Sequence, residues 1–547
     1  MRIARSSRAT LALLAIIAVT LGLPVSVQAS RPAAATPVPQ KLREHIPYLS
    51  THPMLLLARR IGMSTIAGKS IDGAGRPSGH RRGRRLEDVG IGVHPTKHEN
   101  EPTVAANPKH RRRLVAGSHF FGPPAPELNR CMAYRSSDGG RTWSAPVAMP
   151  QLGPTSDCSD PVLAYAPDGS RVYYAYMDIK FEFRPDTFTI DLDILVSFSD
   201  NDGRTWKGPV VALDGSPTTF TPGSSVLGFQ YDKPWIGTSL DDRDWVYVTA
   251  TRFDDFSPGN CHIAFTRSAA KGRAGSWRPP TIVDNSAGGC GNPVVVQGSR
   301  PAGGRHGELL VAWYHSGTDG WLEGSFQIRT RRSSNHGRTF EPIRVAASDS
   351  FEAPFFLGPQ FFYHRWWGAM FPDVEIDGRG RAHVLYTHDP VAGSDTAEEG
   401  DVRYVTSPRP PYRRWSSPVT VNDDGLRRAQ GFAALDTQGA GSRVRVYALW
   451  EDHRLSPDLP IAFPDSPNLY YDMFAASRTV GRGGWSRNRR VSDSSSISDF
   501  IFLGDYNDLT SVHSFLFGIW TDRRHQSDIF AFEDNVFGSG IRAGSGH

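Results

Sequence analysis

Acidic residues recur in this chain directly before short apolar strands, most of them next to a proline. Six such strand starts carry a polar residue, and five of the six are acidic: Glu101, Asp160, Asp232, Asn292, Asp373 and Asp505. Carboxylates held close together raise one another's pKa and attract cations. Such a group would suit a carboxylate pair for glycoside chemistry or a bound Ca²⁺. The equally weighted alternative is that these side chains only cap the turns that enter the strands.

A second set of candidate residues follows the pattern Trp-x-Asp-x-Arg. The pattern ends in Arg454 in one copy and in Arg524 in the other, each where a strand runs out, and Arg252 lies near the corresponding place in another unit. Guanidinium groups at that level could clamp the carboxylate of a substrate with two hydrogen bonds. Because the pattern recurs, an Asp–Arg pair that closes the loop within each unit is the favoured interpretation.

The elements that must position these residues are set out by a repeated motif, Ser-x-Asp-x-Gly-x-Thr-Trp. Its copies lie at 136–143, 199–206 and 333–340, with Asn for Asp in two copies and Phe for Trp in the last. Asp or Asn before Gly favours a tight turn, and alternating strands flank each copy. Each copy is therefore predicted to be a hairpin turn whose aromatic residue packs back beneath it.

The turns belong to longer units of four strands that cannot stand alone and must stack around an axis. Seven unit starts are predicted: Glu101-Pro102-Thr103-Val104, Asp160-Pro161-Val162-Leu163, Asp232-Lys233-Pro234-Trp235, Asn292-Pro293-Val294-Val295, Phe371-Pro372-Asp373-Val374, Gly431-Phe432-Ala433-Ala434 and Gly504-Asp505-Tyr506-Asn507. The fold class is thus all-β, a β-propeller of four-stranded antiparallel blades. Seven blades are favoured, with six as the alternative.

The last blade ends early in the sequence. Its third strand is predicted near 528–532, and its outer strand is predicted to come from 89–93, which would close the ring and remove the open sheet edges.

The four cysteines fit the same alignment of blades. Cys131 and Cys261 lie on predicted third strands, and Cys158 and Cys290 lie just before the next blade begins, at separations of 27 and 29 residues. Disulfides Cys131–Cys158 and Cys261–Cys290 are therefore predicted, as suits an exported chain. Zinc binding is the weaker interpretation because no Cys-x-x-Cys spacing occurs.

The repeated motif resembles the Asp-box of sialidases and related β-propellers. In that family the box lies on outer hairpins and is not catalytic. The segment 503–509 resembles the place where sialidases carry a nucleophilic Tyr activated by a Glu, so the resemblance implies Tyr506 as nucleophile. The chain departs from the family at Asn100-Glu101-Pro102, where sialidases place the first Arg of a carboxylate-binding triad, and in its blade count, since sialidases have six.

The two ends of the chain differ from its centre. Residues 1–29 read as a secretory signal peptide, 30–86 as a basic disordered arm, 87–534 as the propeller and 535–547 as a flexible tail. The net charge of +5 comes from residues 1–97, which hold 15 basic and 4 acidic residues, so the propeller itself is acidic. Nucleic acid is therefore excluded as a partner, and no later segment is apolar enough to span a membrane.

The sequence thus leaves two functional hypotheses. The first is an exported, monomeric sialidase-like glycoside hydrolase that acts on surface or extracellular glycans. The alternative is a non-catalytic propeller that binds glycans or proteins. No cofactor is required by either hypothesis, and Ca²⁺ remains an option at the acidic strand starts.

Overall fold

The protein is described from a computed structural model. The described residues are 87–93, 98–121, 129–221, 228–254, 261–284, 294–316, 324–351, 370–388, 400–426, 428–439, 444–456, 470–497, 503–513, 515–525 and 534–542. The predicted signal peptide and basic arm lie outside them. Within these ranges no helix is long and apolar enough to cross a membrane.

The described chain forms a seven-bladed β-propeller of antiparallel blades, which confirms the predicted fold class and blade count. The chain enters through β1 (Val89–Gly92), which belongs to the last blade. The first blade consists of β2 (His98–Ala106), β3 (Leu114–Phe121), β4 (Arg130–Ser136) and β5 (Val147–Ala148). The second consists of β6 (Asp157–Tyr165), β7 (Val172–Arg184), β8 (Thr187–Ser199) and β9 (Lys207–Leu213), with β10 (Thr218–Phe220) added to β8. The third consists of β11 (Phe229–Thr238), β12 (Val246–Asp254), β13 (Cys261–Ser268) and β14 (Thr281–Asp284).

The other four blades repeat this arrangement. The fourth blade consists of β15 (Val296–Gly303), β16 (Leu309–Ser316), β17 (Gly324–Ser333) and β18 (Arg344–Phe351), and the fifth of β19 (Asp373–Ile376), β20 (Ala382–His388), β21 (Asp401–Ser407) and β22 (Val419–Thr420). The sixth consists of β23 (Gln430–Gln438), β24 (Arg445–Asp452), β25 (Tyr470–Thr479) and β26 (Arg489–Arg490), with β27 (Ser496–Ile497) paired to β25. The last consists of β28 (Asp508–Val512), β29 (Phe515–Asp522) and β30 (Asn535–Arg542) with β1.

The ring closes through β1, as predicted. Val89 pairs with Gly538 and Gly92 with Val536, so the first strand of the propeller is the outer strand of its last blade. The predicted position of the third strand was wrong: it spans Asn535–Arg542, because β29 finds its antiparallel partner there, with Phe515 opposite Arg542. Residues 535–542 are consequently part of the propeller and not of a tail, and 528–532 lie outside the described residues.

The three copies of the turn motif share one hydrogen-bond pattern. In each, the leading Ser hydroxyl accepts the N–H of the Gly four residues later at 2.8–2.9 Å, and the Asp or Asn side chain accepts the N–H of the Thr at 2.9–3.0 Å. The aromatic residues of the motif lie 5.2–5.7 Å from a second ring, in the pairs Trp143–Phe517, Trp206–Tyr174 and Phe340–Phe265. These contacts fill the spaces between strands and neighbouring blades.

One of the two predicted disulfides lies within the described residues and is confirmed. Cys131 on β4 is bonded to Cys158 on β6, so the bridge joins the third strand of the first blade to the first strand of the second. Cys261 begins β13 and is not a free thiol. Cys290 lies outside the described residues, and the pairing Cys261–Cys290 therefore stays a prediction.

Candidate functional site

Four charged side chains from four different blades meet at the centre of the propeller. Lys233 Nζ lies 2.6 Å from a carboxylate oxygen of Asp160, 2.6 Å from one of Asp505 and 3.6 Å from one of Glu101. All four side chains are buried, with at most 2% exposed. We call these residues the Lys233 cluster. Of the six residues predicted to be catalytic, the structure brings Glu101, Asp160 and Asp505 together here. The other three are Asp232, Asp373 and Tyr506.

The backbone of the innermost strands aims these side chains inward. Ladder pairing is interrupted at the same place in several first strands, between Asn100 and Thr103 in the first blade and between Asp232 and Trp235 in the third. Such a bulge bends the strand and re-aims a side chain. Glu101, Asp160 and Lys233 therefore share one bulge position that recurs around the ring, whereas Asp505 lies just before β28.

The bulge places four non-glycine residues in the left-handed backbone region: Phe432 of the sixth blade, with φ of 50°, and three residues of the Lys233 cluster. The φ angles are 48° for Glu101, 51° for Asp160 and 52° for Lys233, and each residue precedes a proline. Both features are unfavourable for a residue with a Cβ. The fourth blade has Gly298 at this position, with φ of 64°, and glycine adopts it without strain. Three blades thus keep a charged side chain where glycine would fit more easily.

Burial and like charges set the protonation of the Lys233 cluster. Burial first, and the charge of Asp160 next, raise the pKa of Glu101 well above that of an ordinary glutamate. Burial alone would lower the pKa of Lys233, but the carboxylates of Asp160 and Asp505 raise it well above the ordinary value. Burial and the neighbouring negative charges therefore favour the protonated form of Glu101, whereas the carboxylates favour the ammonium form of Lys233.

Tyr506, the nucleophile implied by the resemblance, lies beside the cluster but is not bonded to its carboxylates in the described structure. Its hydroxyl donates to the backbone carbonyl of Pro161 at 2.8 Å, and its ring packs edge-on against Trp235 at 5.3 Å. Burial first, and then the charge of Glu101, raise the pKa of Tyr506 well above its usual value. In this arrangement the hydroxyl donates to a backbone carbonyl, and the role of Tyr506 as nucleophile stays a prediction.

Asp232 and Asp373 lie near the cluster without joining it. Asp232 accepts a hydrogen bond from Gln297 Nε2 at 2.9 Å. Asp373 forms a 2.8 Å ion pair with Arg300, whose guanidinium stacks 3.5 Å from the ring centre of Trp235. Asp373 is therefore paired with a cation of its own, outside the Lys233 cluster.

A further group of carboxylates lies along the innermost strands. Glu375, Asp436 and Asp508 are only partly exposed, and burial raises the pKa of Asp436 to about 7 and that of Asp508 to about 6. For Glu375, burial first and then the charge of Asp436 raise the pKa well above its usual value. Asp508 also accepts hydrogen bonds from the side chain of Thr103 and the N–H of Val104. Asp508 thus joins the last blade to the first, and Asp436 joins the sixth blade to the last by accepting from the N–H of Ser511.

The arginines of the Trp-x-Asp-x-Arg pattern are paired with the aspartate of their own copy, and each also contacts an aspartate from another segment, Asp423 for Arg454 and Asp493 for Arg524. Arg454 lies 2.7 Å from Asp452, which also accepts from the indole N–H of Trp450. In the last blade Arg524 lies 2.7 Å from Asp522 in the same way. This geometry matches the favoured interpretation of the pattern, an ion pair that closes a loop.

Arg252 is likewise paired with an aspartate of its own blade. Its Nε lies 2.5 Å from Asp254, two residues later on β12, and its guanidinium covers the ring of Phe229 at 3.8 Å. The ion pairs of Arg252, Arg454 and Arg524 are thus with aspartates outside the Lys233 cluster, and the structure does not bring these arginines together.

The cluster is also the one set of carboxylates in the described chain that meets the geometry of a metal site. Ligand atoms of Glu101, Asp160 and Asp505 lie within 4.8 Å of one another. The ammonium of Lys233 already contacts them, so the protein's own lysine supplies the positive charge, and these residues do not fit a Ca²⁺ ion in this arrangement. Calcium binding at the other acidic strand starts, Asp232 and Asp373, stays a prediction.

Sequence reasoning missed Lys233 and Arg300. The segment Asp232-Lys233-Pro234-Trp235 was aligned on its acidic residue, whereas the proline marks the bulge and makes Lys233 the equivalent of Glu101 and Asp160. In the fourth blade the predicted start at Asn292 lies outside the described residues. The innermost strand begins at Val296, so Arg300 is the residue at which pairing resumes after the bulge. Aligning the blades on the bulge would have found both.

Comparison with known proteins gave matches to solved structures alone. No protein-family profile and no curated protein matches the sequence. The GH93 alpha-L-arabinofuranosidase of Fusarium graminearum is similar with a TM-score of 0.44 at 12% identity, covering 84% of this chain and 98% of its own. The phage phi92 endosialidase has a TM-score of 0.42 at 8% identity, with 84% and 70% covered. A protein of unknown function from Dyadobacter fermentans has a TM-score of 0.40 at 14% identity, with 68% and 94% covered.

Proposed function

We propose that this protein is an exported glycoside hydrolase whose reacting groups are the carboxylates of the Lys233 cluster. One observation carries the proposal: Glu101, Asp160 and Lys233 hold charged side chains inward on left-handed backbone before proline. Backbone strain of this kind costs about 1–3 kcal/mol per residue and collects at functional sites. Glycine adopts this conformation without strain in the fourth blade, and the sixth blade has the apolar Phe432 there, so it is the charged side chains of the other three blades that support the proposal.

The roles follow from the electrostatics of the cluster. Glycoside hydrolysis needs one protonated carboxyl that donates to the leaving oxygen and one ionised carboxylate that acts as nucleophile or base. Glu101, with its raised pKa, is the proton donor. Asp160 or Asp505, each held against the Lys233 ammonium at 2.6 Å, is the ionised partner.

The spacing of the carboxylates favours a retaining reaction. Their ligand oxygens lie within 4.8 Å of one another. Retaining enzymes separate the two carboxyl groups by about 5–5.5 Å, whereas inverting enzymes leave about 6.5–9.5 Å for a water molecule. Tyr506 is assigned a packing role in this proposal, since its hydroxyl is bonded to Pro161.

The proposal also includes export of the protein and a monomeric state. Export is supported by the signal-peptide pattern of residues 1–29 and is consistent with the disulfide between Cys131 and Cys158. The substrate would be a glycan or glycoconjugate of a surface or of the extracellular medium.

A second candidate function is a propeller that binds glycans or proteins without chemistry. The burial of all four cluster side chains favours it, because a reacting carboxylate must be reached by its substrate. In that case the Lys233 cluster would be a structural contact between the first, second, third and last blades.

Turnover of fluorogenic glycosides by the full secreted protein distinguishes the two candidates. A hydrolase cleaves at least one glycoside, and Glu101→Gln, which resembles the protonated form and should fold, lowers kcat by about 10²–10⁴-fold. Glu182→Gln, at an exposed position on the β7–β8 hairpin, is the matched control and leaves kcat unchanged. Absence of turnover across the panel, with retained glycan binding, would establish the second candidate instead.

A further inference from the structure

The charges around the Lys233 cluster bear on which glycans the site accepts. Four acidic side chains, Glu101, Asp160, Asp232 and Asp505, surround one cation, Lys233. Even with Glu101 protonated, the acidic groups outnumber the single ammonium. A ligand that enters this region therefore meets a negative environment whose one cation is already shared between carboxylates.

The cations that could receive an anionic sugar are engaged elsewhere. Arg300 is paired with Asp373 at 2.8 Å and stacked on Trp235. The other candidate clamps, Arg454 and Arg524, lie 2.7 Å from aspartates of their own blades. Among the described residues, each of these guanidinium groups would have to break a buried ion pair before it could bind a carboxylate on a ligand.

This arrangement of charges should discriminate between anionic sugars and neutral or amino sugars. A sugar carboxylate placed beside Asp160 and Asp505 would be a buried charge without a counter-ion, next to charges of the same sign. A neutral hydroxyl can instead donate a hydrogen bond to a carboxylate oxygen, and an ammonium group on a sugar would gain directly from the negative charges. Oxygens without a hydrogen-bond partner remain on Glu101 and Asp505 in the described structure.

We infer that the site takes glycans whose reacting residue is neutral or carries an amino group, and that it rejects sialic acids and uronic acids. The inference rests on the proposed function for the location of the site. It concerns the class of ligand and not the reaction, and it is opposite in sign to the anionic substrates that the sialidase resemblance implies.

The test compares four classes of 4-methylumbelliferyl glycoside: neutral pentosides and hexosides, a 2-amino-2-deoxyhexoside, a sialoside and a glucuronide. Turnover and binding by calorimetry are measured on the secreted wild-type protein. We expect the neutral or amino glycosides to be bound or cleaved, and the two acidic glycosides to lie at least about 100-fold lower, as an uncompensated buried charge requires.

The outcomes separate the inference from the proposed function. Binding of neutral or amino glycosides without cleavage supports the inference and refutes the hydrolase. Cleavage or binding of the sialoside or glucuronide at a level equal to the neutral glycosides overturns the inference and leaves the hydrolase standing. Failure of every glycoside to bind overturns both.

A variant locates the selectivity in the cluster. Asp505→Asn removes one negative charge while keeping the shape of the side chain, so it should reduce the discrimination against the glucuronide by about tenfold in binding. Glu182→Gln removes a negative charge at an exposed position on the β7–β8 hairpin, outside the cluster, so it is the matched control and should leave the ratio between neutral and acidic glycosides unchanged. Equal ratios in both variants and the wild type would place the selectivity elsewhere and refute the assignment.

Discussion

The ammonium of Lys233 lies 2.6 Å from the carboxylate of Asp505, a residue 272 positions later in the chain. The contact joins the third blade to the start of the last one across the axis of the propeller. Since Glu101 and Asp160 meet the same ammonium, one lysine holds four blades together at the point where the ring closes.

Replacing this lysine tests how much the contact stabilises the ring. Lys233→Met keeps the length of the side chain but leaves buried carboxylates without a counter-charge, and should lower the free energy of unfolding by about 3–5 kcal/mol. Lys207→Met removes an exposed lysine paired with Asp200 and should cost at most about 1 kcal/mol. Guanidinium chloride unfolding measures both. Equal losses in the two variants would show that the cluster contributes no more than a surface pair.

Tyr506→Phe separates the proposed mechanism from the one implied by sialidases. Because the hydroxyl donates to Pro161, its removal should cost about 1 kcal/mol of stability and leave kcat/KM within about tenfold of wild type. The same kinetic assay is run on Glu101→Gln, which should lose most of its activity. If Tyr506→Phe abolishes turnover while its unfolding curve stays that of wild type, Tyr506 is the nucleophile and the proposed roles are wrong.

The stability of the protein should fall as the pH rises from about 4 to about 8. Burial raises the pKa of Asp88 to about 8, of Asp193 and Asp436 to about 7, and of Asp508 to about 6. The folded state therefore binds more protons than the unfolded state over this range, and the free energy of unfolding decreases with pH.

Denaturant unfolding at about pH 5 and about pH 8 measures this dependence. Asp193→Asn removes one of the raised groups, so the difference between the two pH values should become smaller in that variant. The opposite effect is expected below about pH 4, where Asp377, whose pKa is lowered to about 2 with His383 and Arg381 bonded to it, begins to lose its contribution. A wild-type protein that is more stable at about pH 8 than at about pH 5 would contradict the assignment.

Gly92→Ala should hinder closure of the ring. A Cβ at this position would lie 2.0 Å from Oε2 of Glu99, which is fully buried and bonded to Ser118, so either β1 or the glutamate must move. We expect a lower melting temperature and faster proteolysis at β1. Gly425→Ala, where a Cβ would meet no atom within 4 Å, is the matched control and should behave as wild type. Equal melting temperatures would show that β1 does not need glycine here.

Much of the fold could be predicted from the sequence because its signals are local. Each copy of the turn motif fixes a hairpin through hydrogen bonds within a few residues, as in the bond from Gly140 to Ser136, and each flanking strand shows its alternation directly. Counting these units predicts seven blades. The strand predicted at 89–93 precedes the first unit and so predicts how the last blade is completed and the ring closed. The strand Asn535–Arg542 lies in the segment predicted to be a flexible tail, and the prediction failed there because no turn motif marks that strand.

The candidate site was only half predictable, because its members are decided by register and not by residue type. The acidic residues at the strand starts could be read from the sequence, and Glu101, Asp160 and Asp505 do meet. Whether Asp232 or Lys233 faces the axis depends on one bulge, since a shift of one residue turns every side chain to the other face. That bulge, and the ring that brings Lys233 to Asp505, exist only once seven blades have packed around a common axis.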